Sequence, residues 1–214
     1  GNCSAILPAW PPMRSKPFLK PEQAQLPWDA PGLIAGVDEA GRGPLAGCVM
    51  AGCVVMPREP CLKNILDSKQ LTPKQREAAY EQIVEHAIYF GLGSADQDEI
   101  DAMNILEATR LAMRRAGQHA KADLFLVDAV EHVGLAGEER ALVSGDAISY
   151  SIAAASILAK VTRDRLMMEL DQKYPQYGFA RHKGYGTREH IQAIRTYGPS
   201  PVHRMSFLTR ILNG

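Results

Sequence analysis

Two short apolar runs constrain this 214-residue chain most. Leu33-Ile34-Ala35-Gly36-Val37 ends in Asp38-Glu39, and Leu124-Phe125-Leu126-Val127 ends in Asp128. Runs this brief and this apolar read as strands covered on both faces, because a half-solvated strand would alternate polar with apolar. A carboxylate at the end of such a strand is costly to hold unless it is paired or binds a metal. Helices must supply the cover. Thr72-Pro73-Lys74-Gln75 is a capping box that opens a helix to about residue 86, with Pro73 at its first position. Amphipathic spacing predicts a second helix over about 97–116, stopped by Gly117, and a long third over about 148–173, stopped by Tyr174-Pro175. Further strands are expected at about 48–55 and 89–94. The last 40 residues read as loop, one helix near 188–197 and a tail. Strands interleaved with helices give an α/β chain with one mixed sheet flanked by helices, followed by a short helical and loop C-terminal segment.

Charge refines that picture. The chain has 24 basic and 24 acidic residues, and a net charge of zero argues against a polyanionic partner only if it is evenly spread. It is not. Residues 160–214 hold ten basic and four acidic side chains, a local +6, which leaves −6 elsewhere. Cys3, Cys48, Cys53 and Cys61 show no C-x-x-C spacing, and free thiols suit a reducing cytoplasm. No run approaches the roughly 20 apolar residues of a membrane span. Half of the 14 prolines fall in residues 1–32, which read as an extended, poorly ordered leader without the layout of a secretory signal.

Asp164 lies three residues after Val161 and seven after Ile157, so it continues the apolar stripe of the long helix. Lys160, one turn back, is the ordinary partner; the alternative is that Asp164 reaches the strand-end carboxylates. Asp38, Glu39, Asp128 and Asp164 form an oxygen-only donor set that suits Mg2+ or Mn2+ and does not suit zinc. Such a site implies phosphoryl chemistry. Adjacent residues on a straight strand face opposite ways, so the strand must end or twist at Glu39 for both acids to serve one site. Gly41-Arg42-Gly43-Pro44-Leu45-Ala46-Gly47 has the wrong glycine spacing for a dinucleotide fingerprint, but offers backbone N–H groups beside a guanidinium. Arg181-His182-Lys183-Gly184-Tyr185-Gly186-Thr187 is a basic, glycine-punctuated stretch, with Tyr174 and Tyr177 upstream and His203-Arg204 downstream. Basic groups there can meet phosphates, and an exposed tyrosine can stack on a sugar or base. A plain solvated loop is the competing reading.

Several blocks in order resemble one family, the bacterial ribonuclease H type 2 enzymes (ribonuclease HII). They are G-V-D-E-A-G-R-G-P-L-A-G at 36–47, D-S-K at 67–69, V-D at 127–128 and S-G-D-A-I-S-Y-S-I-A-A-A-S-I-L-A-K-V-T-R-D at 144–164. Y-P-Q-Y-G-F at 174–179, H-K-G-Y-G-T at 182–187 and G-P-S-P-V-H-R-M-S-F at 198–207 complete the match. The resemblance covers residues 33–207 and implies an RNase H-like catalytic domain there, with 208–214 as tail. It implies cleavage of RNA in RNA–DNA hybrids and at single ribonucleotides in duplex DNA, by a cytoplasmic monomer using Mn2+ or Mg2+ and no membrane partner. The catalytic, metal-binding carboxylates would be Asp38, Glu39, Asp128 and Asp164. Gly41, Arg42 and Gly43 would sense the ribose 2′-OH and phosphates, and Tyr185 would stack on the sugar of the following deoxynucleotide. Lys69 would contact substrate, with Asp146 and Ser149 supporting. Ala129 departs from the family's V-D-G, and Cys48 stands where proline is usual. Ribonuclease H type 3 carries a large N-terminal domain and a lysine at the Arg42 position, so type 2 is the better match. Three other readings stay in view: a metal-dependent DNA nuclease of the same fold, a non-catalytic hybrid-binding protein and a small-molecule α/β enzyme.

Overall fold

The computed structural model describes residues 32–57, 71–145 and 149–213. Five strands form one sheet: β1 (Ile34–Ala40), β2 (Val49–Val55), β3 (Tyr89–Ala95), β4 (Leu124–Asp128) and β5 (Glu138–Leu142), in the order β3-β2-β1-β4-β5. The β1–β2 and β2–β3 pairs are antiparallel, whereas β4 lies parallel to both β1 and β5. β1 and β4 are therefore interior strands, which is why their sequences are apolar on both faces.

Helices cover both faces. The expected helix over 97–116 is two: α2 (Gln97–Met103) and α3 (Ile105–Gly117). The break is Asn104, whose φ of 76° leaves helical space. Its side chain accepts from the amides of Leu106 and Glu107, because a short amide competes with helix continuation and suits an N-cap. α3 closes one face of the sheet over Val37, Ala51, Cys53, Phe125 and Val127. α4 (Tyr150–Lys173) closes the other, with α1 (Pro73–His86) packed against it. The capping box at Thr72 forms as expected.

α4 lies unusually close to the sheet because two glycines let it. A Cβ on Gly36 would fall 2.0 Å from the backbone carbon of Ser151, and one on Gly52 2.5 Å from the Ala155 carbonyl oxygen. Cys48 and Cys53 are buried free thiols on opposite faces of the sheet, Cys48 toward Met50 and Ala159 and Cys53 among the α3 contacts.

Two elements escaped the pattern. β5 is an edge strand of Glu138-Glu139-Arg140-Ala141-Leu142, too charged to read as strand, although charge is a usual way to protect an edge. Beyond the expected α6 (Arg188–Tyr197), with the short α5 (Phe179–His182) before it, the chain ends in α7 (Met205–Leu212). Asp101 caps α7 by accepting from the amides of Met205 and Ser206. Leu208 is fully buried with Met167, Phe179 and Ile194, so the boundary expected after Phe207 falls inside a packed helix.

Candidate active site

Parallel pairing sets Val37 beside Val127, so the next residues, Asp38 and Asp128, are neighbours on the opposite, α4-facing side. Asp38 is buried and accepts hydrogen bonds from the Ser156 hydroxyl of α4 and from the Glu39 amide. Its carboxyl is held well above the usual carboxylate range, by burial first and then by repulsion from Glu39 and Asp128. Asp128 accepts from the Gly145 amide at 2.7 Å. Ser149 connects to this contact: it is the N-cap of α4, and its amide donates to the Gly145 carbonyl at 2.7 Å.

Of the two alternatives expected at Glu39, an end or a twist, β1 does not end there: Glu39 and Ala40 still pair with Ala51 and Met50. The turn comes one residue later, at Gly41 with a φ of 95°. Glu39 nevertheless lines the same cleft as Ser156 and Lys160 of α4, as right-handed strand twist allows. Burial raises the Glu39 carboxyl, and the Arg42 guanidinium at 3.4 Å opposes that rise. Its other oxygen, Oε2, is buried with no hydrogen-bond partner among the described residues.

The cleft measures about 380 Å3. Glu39, Ala40 and Gly41 line one wall, and Ser156, Ile157, Lys160 and Arg163 another; Arg76 and Tyr185 complete it. Asp164 takes the ordinary option. Both its oxygens lie 2.5 Å from Lys160 Nζ, and Arg76 stands 4.0 Å away. Its partners line the cleft, but the structure does not bring Asp164 onto the strand-end acids. Among the described residues, no three acidic, histidine or cysteine side chains are gathered tightly enough to enclose a cation. The donor chemistry still fits one: a buried, partnerless Glu39 oxygen and a destabilised Asp38 charge are what an adjacent cation would relieve.

Arg42 and Gly43 are exposed, and the Tyr185 ring comes within 3.5 Å of where a Gly43 Cβ would stand. The tyrosine is half exposed, as a stacking residue requires. Its neighbours differ from the expectation. Tyr177 is buried and donates to the Gly198 carbonyl, so it offers no stacking face. His182, His190 and His203 are buried together rather than facing phosphates. His190 Nδ1 donates to the Tyr185 carbonyl at 2.9 Å, and His203 holds the other end of His190 at 3.0 Å.

The +6 segment is likewise less free than its composition suggests. Arg163 and Arg204 are buried, Arg165 pairs with Glu77 and Glu81, Arg181 with Glu189, and Lys160 with Asp164. Lys69 and Asp146 lie outside the described residues. Ser156, Gly145, Arg76 and the two buried arginines are site residues that pattern reading missed. Ser156 had one visible signal, a hydroxyl between Ala155 and Ile157 in the apolar run of the long helix; the other contacts join positions far apart in sequence.

A family model described as Ribonuclease HII matches residues 35–210. The ribonuclease HII of Desulfitobacterium hafniense (strain DSM 10664 / DCB-2) is 54% identical over 176 residues, covering 81% of this chain and 68% of that protein. The solved ribonuclease H2 of Pyrococcus horikoshii OT3 superposes with a TM-score of 0.68 at 28% identity, over 85% of this chain and all of that one. Bst-RNase HIII in complex with Mn2+, at 15% identity and a TM-score of 0.62 over 85% of this chain and 69% of its own, shares the fold. The mixed sheet, the acids at the ends of its interior strands and these matches agree: the chain belongs to the ribonuclease HII family.

Proposed function

We propose that this chain is an endoribonuclease that hydrolyses the RNA strand of RNA–DNA hybrids and cuts at single ribonucleotides embedded in duplex DNA, leaving 5′-phosphate and 3′-hydroxyl ends. One observation carries the reading. Acids from the ends of β1 and β4 meet beside a cleft whose rim holds the exposed Arg42 and Gly43 and an exposed tyrosine. A DNA nuclease would need the acids but not that rim, and a hybrid binder the rim but not the acids.

Asp38, Glu39 and Asp128 would hold divalent cations, Mg2+ or Mn2+, and Asp164 would join them only by exchanging its Lys160 contact for the metal; the ions when bound would supply an activated water and steady the departing 3′-oxygen. Ser156 and the Glu39 amide hold Asp38 in place, and the Gly145 amide holds Asp128. Arg42 and the backbone donors of Gly41–Gly43 meet the ribose 2′-OH and adjoining phosphates; the 2′-OH is what distinguishes RNA from DNA at the cut. Tyr185 stacks on the sugar that follows. The buried free thiols support a reducing compartment. Among the described residues no helix is long and apolar enough to cross a membrane.

The test is a DNA duplex carrying one ribonucleotide, incubated with protein and Mg2+ or Mn2+. A cut on the 5′ side of the ribonucleotide is expected. Equal cutting of an all-DNA control would replace the reading with a DNA nuclease, and binding without cutting with a hybrid binder.

A further inference from the structure

Two fully enclosed guanidiniums lie beneath the cleft rim, and the chemistry above does not use them. Arg204 and Arg163 are among the largest buried side chains, 0% and 2% exposed. Neither forms an ion pair with a carboxylate among the described residues. Burying a charge without a counter-charge is costly unless every donor is satisfied, so such a residue is expected only where its fork performs a task. Here all six contacts are to backbone carbonyls. Arg204 donates to Gly41 at 2.6 Å, Arg42 at 2.9 Å and Gly47 at 2.8 Å. Arg163 donates to Cys48 at 3.0 Å, Ala46 at 3.1 Å and Lys183 at 3.0 Å.

The geometry of the peptide unit makes this consequential. In a trans peptide the carbonyl and the next residue's N–H point in opposite directions. Holding the Gly41 and Arg42 carbonyls inward turns the Arg42 and Gly43 amides away from Arg204. Both residues are exposed, and neither amide meets an acceptor among the described residues. Arg204 thereby aims two unpaired donors out of the loop. Arg163 spans the other direction, from Ala46 and Cys48, between that loop and β2, to Lys183, two residues before Tyr185. A direct bridge runs alongside, with the Leu45 amide donating to the Gly184 carbonyl at 2.8 Å and the Arg204 amide to Leu45 at 2.9 Å.

We propose that Arg204 and Arg163 are positioning residues that set the separation and aim of the Gly41–Gly43 loop relative to Tyr185, and so set the preference for a ribonucleotide followed by deoxynucleotide over a continuous hybrid. The inference rests on the function proposed above, in which those two elements contact successive sugars. A planar five-donor fork fixes carbonyl directions in a way a single ammonium does not. Replacing it with lysine keeps the charge and loses the aim.

The experiment compares wild type, Arg204→Lys and Arg163→Lys on two substrates with Mn2+: duplex DNA with one ribonucleotide, and a uniform RNA–DNA hybrid. The readout is the ratio of kcat/KM values, with Tm recorded for each protein. Each lysine variant is expected to lower the ratio about tenfold, the scale of losing one hydrogen bond to a charged group. Added guanidinium is expected to restore it in Arg204→Ala. An unchanged ratio in folded lysine variants overturns the proposal, and so does loss of a cooperative melt in both, which would make the arginines purely structural. A wild type that cuts neither substrate would instead sink the endoribonuclease reading.

Discussion

At the residue scale, Asp128 is the acid whose placement owes least to its own side chain, since it stands where parallel pairing with β1 puts it. Asp128→Asn keeps the shape and the Gly145 contact but removes a negatively charged oxygen that could bind a cation. Cleavage is expected to fall by at least about 100-fold, the upper scale for disturbing a metal site, while hybrid binding without metal persists. Near-wild-type single-turnover rates with Mg2+ would show that Asp128 is not a working acid. The neighbouring Ala129 has φ of 49°, a left-handed conformation that glycine adopts freely and alanine does not. Ala129→Gly is therefore expected to stabilise the chain by about 1 kcal/mol, a rise of roughly 3 °C in Tm. An unchanged or lower Tm would mean that the turn carries no strain. The departure from the resembled family's glycine was legible in the sequence; that it falls on a positive φ was not.

At the element scale, the site depends on how closely α4 approaches the sheet. Ser156, Lys160 and Arg163 all belong to that helix, and Gly36 and Gly52 let its backbone rest directly on β1 and β2. Gly36→Ala is expected to cost about 3 kcal/mol by overpacking and to lower cleavage as well, by lifting Ser156 off Asp38. Urea titration with a parallel rate measurement checks this; a loss of stability with full activity would separate the packing from the site. Sequence reading placed the interior strands, α1, α4 and α6 correctly: continuous apolar runs marked the strands, and the capping box at Thr72 marked the start of α1. It missed the break at Asn104, where a local side-chain cap outcompetes the helix, and β5, whose charged residues sit at an edge. The Asp164 stripe was read correctly as helix, yet the choice between Lys160 and the strand acids turned on tertiary placement.

At the scale of the whole molecule, acid tolerance is set behind Tyr185. The histidine contacts assign every ring one neutral tautomer. His190 Nδ1 donates to the Tyr185 carbonyl, His190 Nε2 accepts from His203, and His203 Nδ1 accepts from the Ser200 amide. A proton on either ring sets two N–H groups against each other. Burial, then His190, pushes His203 down to about 4, so the folded state binds this proton less readily than the unfolded chain. Its stabilising contribution is whole above about pH 6.5 and is lost as pH falls toward 4, up to about 3 kcal/mol. Asp38 works with the opposite sign: its raised carboxyl makes the folded state the better proton binder, which favours folding as pH falls. His203→Gln is expected to flatten the urea midpoint between pH 6.5 and 4, measured against wild type. Equal slopes in the two proteins would place the acid sensitivity elsewhere.

Zero net charge divides between an acidic portion holding three of the four proposed metal acids and a basic C-terminal segment. Sequence alone determined that the chain is α/β, that two interior strands end in acids, and that its motifs run in ribonuclease HII order, because burial and turn chemistry act on neighbours along the chain. Tertiary structure alone decided which of the ten basic side chains of that segment remain available to a polyanion. It turned Arg163 and Arg204 inward onto carbonyls of the loops they join, and Lys160 onto Asp164. The reason is physical: a charge count records side chains, while their partners are fixed only when packing brings distant backbone groups within hydrogen-bond reach.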